Sequence, residues 1–129
     1  MTITGKIVLC CTIVGFLAAV SLLSSAVPSY AANSEEILTA VSQLPEQVDS
    51  PLFTVMWTGK GADRYEIQYR DSGIGAWKTW LIRESSERAS ATFLGLPGRR
   101  YQFRSRGIDD QGRVEQWPLT SFGDAQTEV

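Results

Sequence analysis

The chain contains no histidine, and its two cysteines stand side by side at Cys10 and Cys11. Without histidine it lacks the usual general base near neutral pH, every Ser-His or Cys-His nucleophile pair, and the commonest transition-metal ligand. Both cysteines lie inside an apolar run and read as small hydrophobes. A lipoprotein signal would place its cysteine at the end of such a run, whereas Cys10 follows Ile7, Val8 and Leu9 at its beginning. A basic excess is missing too: 12 Lys and Arg face 14 Asp and Glu, a formal charge of −2. Nucleic-acid association is driven by cations that displace counterions from phosphates, so this balance argues against it.

What is present begins with MTITGKIVLCCTIVGFLAAVSLLSSAVPSYAANS, which has one cation at Lys6, an apolar run from Ile7 to Leu23, and small residues from Ser24 to Ala31. That is the layout of a secretory signal over residues 1–31, with Ser29 and Ala31 preceding a cut before Ala32. Counted on to Val27, the run is nearly long enough to span a bilayer, so an uncleaved anchor is the alternative. Cleavage before Ala32 leaves a chain with no cysteine, whose stability must come from packing rather than disulfides.

Residues 32–38 form a tail. Asn33 and Glu36 could cap a short helix running to Leu44, or Thr39 to Leu44 could be a first strand stopped by Pro45. From Leu52, LFTVMW alternates, with Phe53, Val55 and Trp57 on one face. YEIQYR puts Tyr65, Ile67 and Tyr69 inward and Glu66, Gln68 and Arg70 outward. After the break at DSGIG, residues 76–83 form a fourth strand and SATFL a fifth. In YQFRSRGI, Tyr101, Phe103, Ser105 and Gly107 alternate with Gln102, Arg104, Arg106 and Ile108. A last strand is expected from Val114 to Phe122 together with the closing DAQTEV, interrupted by Pro118 as an edge strand tolerates. Short strands at this spacing predict an all-β antiparallel sandwich.

Trp57, YEIQYR, Trp77 and FLGLPGRRYQFRSRG together resemble a fibronectin type III domain over residues 39–129. The segment Phe93 to Pro118 is similar to a bacterial surface-protein subset that reads Phe-x-Gly-x-Pro-Gly-x-x-Tyr-x-Phe-Arg and then Val-Glu-x-Trp-Pro. It departs from the commoner Leu-x-Pro-Gly-x-x-Tyr, since Leu96 is followed directly by Pro97. The resemblance implies a seven-stranded immunoglobulin-like sandwich with Trp57 in its core. It also implies structural roles for Pro97 and Gly98 in the turn, and a tyrosine corner in which the Tyr101 hydroxyl bonds backbone near Leu96 or Gly95.

Five arginines occur between Gly95 and Pro118. Strict alternation makes those of the sixth strand its wet face rather than a nucleic-acid surface. One surface stands out: the solvent side of the third, fourth and sixth strands, with Glu66, Gln68 and Arg70, Lys78 and Trp80, and Arg104 and Arg106. An outward Trp80 would stack on a sixth-strand arginine, resembling the arginine-tryptophan ladder of cytokine-receptor domains. Such a ladder either covers the sheet or serves as a flat ligand platform anchored by Trp80. Alternation then sends Trp77 to the core, and Trp117, before Pro118, stays open between core and surface.

Glu35 with Glu36 and Asp109 with Asp110 read as tail and turn residues rather than catalytic pairs. DDQG lacks the ligand spacing of a calcium loop, and the serines have no histidine or evident lysine partner. No catalytic residue, metal or cofactor is expected. The expectation is an extracytoplasmic, non-catalytic module, monomeric when isolated, that binds or spaces an extracellular protein or polysaccharide and touches membrane only if its first segment is retained. The alternative is a structural subunit that pairs through an edge strand with a larger surface assembly.

Overall fold

The computed structural model describes residues 35–71 and 75–129. The hydrophobic first segment, the cap at Asn33 and the middle of the DSGIG turn lie outside them. Among the described residues are seven strands and no helix: β1 (Leu38–Val41), β2 (Leu52–Lys60), β3 (Arg64–Asp71), β4 (Lys78–Glu84), β5 (Ser90–Leu94), β6 (Arg100–Ile108) and β7 (Ala125–Glu128). They form two antiparallel sheets, one ordered β1-β2-β5 and the other β4-β3-β6-β7. The architecture is a β-sandwich.

Each sheet has one apolar face because its strands alternate with period two. In β2, Phe53, Val55 and Trp57 are buried while Thr54, Met56 and Thr58 are exposed. In β6, Tyr101, Phe103, Ser105 and Gly107 are buried. Phe93 of β5 sits where the two faces meet. Its ring centroid lies 5.0 Å from those of Tyr69, Tyr101 and Phe103, 5.1 Å from Trp80 and 5.5 Å from Phe53. Tilted and edge-to-face pairs of this kind each add about 0.5–1.5 kcal/mol beyond the burial itself.

The first segment of the described chain is a strand and not a helix, ending at Val41 with a last backbone bond from Ser42 N to Met56 O at 2.8 Å. The expected long last strand is also corrected: a ladder with β6 forms only over residues 125–128, and Val114 meets β6 in an isolated bridge to Ile108. Between them, residues 114–122 follow their side chains instead of a ladder. Glu115 turns its carboxylate toward β1 and β6, Trp117 lies over two arginines, and Pro118 has no N–H to contribute.

The β5–β6 turn behaves as its sequence requires. Gly98 has φ of 76°, a conformation costly for other residues, and Tyr101 Oη accepts the N–H of Leu96 at 2.8 Å. The outer edge of β7 is covered as well: Gln47 forms a parallel bridge with Glu128, with Val48 N donating to Glu128 O at 2.8 Å and Glu128 N to Glu46 O at 3.0 Å. Trp57 is buried in the core as expected. Among the described residues its Nε1 has no hydrogen-bond partner.

Candidate binding face of the four-stranded sheet

The outward residues of β3 and β6 stand opposite one another in three successive rows: Arg70 with Gln102, Gln68 with Arg104, and Glu66 with Arg106. Every row therefore sets a guanidinium beside an oxygen. Arg70 Nε donates to Gln102 Oε1 at 2.7 Å, and Arg104 gives Nε and Nη2 to Gln68 Oε1 at 2.9 and 2.6 Å. Arg106 Nε donates to Glu66 Oε2 at 2.7 Å, and its Nη2 lies 2.7 Å from the same oxygen. Arg70 Nη2 additionally bonds the carbonyl of Ser121. These bonds fix the guanidinium planes.

Two indoles fill the spaces between those planes. Trp77 lies between Arg70, 4.7 Å from the ring centroid, and Arg104 at 4.3 Å. Trp117 lies between Arg104 at 4.1 Å and Arg106 at 4.3 Å. The order along the face is Arg70, Trp77, Arg104, Trp117, Arg106. Gly123, with φ of 79°, makes room for it: a Cβ there would stand 2.8 Å from Trp77 Cη2 and overlap the Phe103 carbonyl.

The sequence reading placed the arginines and Glu66 on this face correctly but reversed the tryptophans. Trp80 turns between the sheets, 5.1 Å from Phe93 and 6.0 Å from Phe103, and it is Trp77 that meets the arginines. A bulge in β4 is the cause. Ile67 pairs with Leu81 but Gln68 with Thr79, leaving Trp80 as the extra residue. Trp80 and Leu81 consequently both pack on the core, and Trp77 shares the outer face with Thr79. Trp117, left open by the sequence, belongs to the ladder.

Charge on the face is uneven. Glu66 is 9% exposed, and burial alone pushes its carboxyl up. Bonds from Thr79 Oγ1 at 2.7 Å and from Arg106, the positive charge of Arg106, and a bond from Gln68 outweigh that and hold it below the usual glutamate value. For Arg104 burial is the larger influence, followed by repulsion from Arg106 and Arg70, and both lower its affinity for a proton. Arg106 has a carboxylate partner in its row. Arg70 and Arg104 have amide oxygens in theirs.

A second constellation was not anticipated. Asp124 Oδ2 accepts the N–H of Val41 in β1 at 3.0 Å and that of Ser105 in β6 at 2.9 Å. Glu115 accepts the N–H and hydroxyl of Thr39 at 2.9 and 2.7 Å and the N–H of Gly107 at 2.8 Å. Thr39 Oγ1 and Ser105 Oγ, 3.0 Å apart, complete a polar seam between the sheets. Its geometry is that of a structural clamp, because the acceptor oxygens are committed to backbone donors. Among the described residues no group of three or more Asp, Glu, His or Cys side chains is placed to hold a metal.

No protein-family model matches this chain, and no curated protein sequence matches it significantly.

Proposed function

We propose that residues 39–129 form a fibronectin type III-like domain acting outside the cytoplasm as a non-catalytic binding or spacer module that contacts protein or glycan. The observation that carries this reading is the ladder: five side chains from four separate segments meet on one sheet face. The split of seven strands into three and four, with the Tyr101 hydroxyl on the Leu96 N–H, supports the domain assignment. The hydrophobic first segment supports export or anchoring.

The test is binding of the purified full chain to a panel of cell-surface polysaccharides and secreted proteins, alongside a Trp77→Ala, Arg104→Ala variant. A ligand held by the native chain and lost by a folded variant supports recognition through the ladder. A panel without any ligand moves the weight to the second reading, a subunit that pairs through an edge. That reading is favoured by β4, whose outer edge carries no pairing strand among the described residues.

A further inference from the structure

We propose that the ladder face receives an extended acidic peptide segment, with carboxylates on alternate residues bonding Arg70 and Arg104; this rests on the binding-module reading. Three features of the face select that ligand.

The first is repeat distance. The guanidiniums of Arg70, Arg104 and Arg106 belong to three successive rows of the β3–β6 pair. Successive rows on one face of a strand lie about 6.6 Å apart, which is also the distance between alternate side chains of any extended peptide. A chain laid along β6 thus keeps step with the rows at the backbone, and the flexible arms of alternate Glu side chains reach the Arg70 and Arg104 guanidiniums on either side of Trp77.

The second is what the arginines still lack. Arg106 is satisfied by Glu66 at 2.7 Å. Arg104 commits Nε and Nη2 to a neutral amide oxygen, and among the described residues Nη1 is left for an incoming acceptor. Arg70 bonds Gln102 and a carbonyl, again neutral oxygens. Bonds between a guanidinium and a carboxylate are stronger than those to an amide, and the repulsion that Arg104 meets from Arg106 and Arg70 is only partly offset by Glu66 and Asp124. The Arg70–Arg104 end is therefore the open end.

The third feature separates peptide from sugar. A pyranose ring is held by lying flat on a bare aromatic face. Both faces of Trp77 and both faces of Trp117 are covered by guanidiniums at 4.1–4.7 Å. What the ladder presents to solvent is a row of edges rich in N–H donors.

The experiment titrates the full chain, by tryptophan fluorescence, with two synthetic octapeptides of equal composition. One alternates Glu and Thr; the other groups its Glu residues in a block. Polygalacturonate is the polysaccharide comparison. The alternating peptide should bind at least about tenfold more tightly than the blocked one, and Arg70→Gln should raise its Kd about tenfold, the loss of one charge-assisted contact. Arg88→Gln, an exposed charge on the β4–β5 connection, should change Kd less than about twofold. Equal affinity for the two peptides, or an equal loss in Arg88→Gln, overturns the proposal without any variant having to explain the comparison between peptides. Binding of polygalacturonate alone overturns it while keeping the binding module. Binding of none of the three overturns it as well, and the broader panel then decides the module reading separately.

Discussion

Glu115 takes both the backbone N–H and the side-chain hydroxyl of Thr39, at 2.9 and 2.7 Å, across 76 residues of sequence. The same carboxylate holds the N–H of Gly107. Replacing it with alanine strands two backbone donors and leaves Asp124 and the Thr39–Ser105 contact to join β1 to β6. Glu115→Ala should lower stability by about 2–4 kcal/mol, read as a smaller urea midpoint with little change in slope. A loss under about 0.5 kcal/mol would show that water replaces the carboxylate at no cost.

The clamp's other carboxylate gives the domain an unusual pH response. Burial, more than any other influence, raises the Asp124 carboxyl above its ordinary value of 3.8; the Glu115 charge adds to this and the bonds from Val41 and Ser105 oppose it. A raised folded-state pKa means stability that is full below the unfolded value and lost as pH rises through the folded one. Glu66 and Asp109 are shifted down, so their contribution is present above the unfolded values and is lost as pH falls. The melting temperature should therefore rise as pH falls from neutral through the raised Asp124 value, and drop as pH falls below the ordinary values of Glu66, 4.5, and Asp109, 3.8, toward their lowered folded-state values. Asp124→Asn should remove the rise and leave the drop, in a series of thermal melts.

The ladder and the core predict different costs for two neighbouring tryptophans. Trp77→Ala removes two cation–aromatic contacts, each worth about 0.5–1 kcal/mol at an exposed site, so a loss of about 1–2 kcal/mol is expected. Trp80→Ala empties space beside Phe93 and Phe103 and should cost about 3 kcal/mol or more. Chemical denaturation of the two variants side by side checks the order, and a reversed order would contradict the bulge.

Trp57 combines a buried ring with a buried donor that has no partner among the described residues. Trp57→Phe should consequently change stability by less than about 1.5 kcal/mol, because losing ring volume is offset by no longer burying the N–H. Trp57→Ala should cost about 3–5 kcal/mol. Similar losses for both would point to a hydrogen bond at Nε1.

Most of the sandwich was legible because its signal is local. Alternation in LFTVMW, YEIQYR and YQFRSRGI reports which side of a strand faces the core, and the Gly98–Tyr101 spacing reports one turn. The tryptophans were misread for a reason that alternation cannot carry. From Leu81, an apolar residue facing the core, counting back by twos gives Trp77 the inner face, and only the extra residue at Trp80 breaks the count. Bulges depend on the partner strand, which the local pattern does not contain. Glu115 and Asp124 were missed for a similar reason: their donors lie 76 and 83 residues away in β1, and an acidic residue in a polar loop looks like a solvated one. The segment Val-Glu-x-Trp-Pro held both answers in one motif, since Glu115 serves the seam and Trp117 the ladder.

The seam also determines how the domain bears load. β1 lies near one end of the described chain and β7 at the other, and both are fastened to β6, the first through Glu115 and Asp124 and the second through a backbone ladder. Tension applied between Glu35 and Val129 has a short route through that central strand. Along it the joint between β1 and β6 is made by two carboxylates, and that between β6 and β7 by backbone bonds.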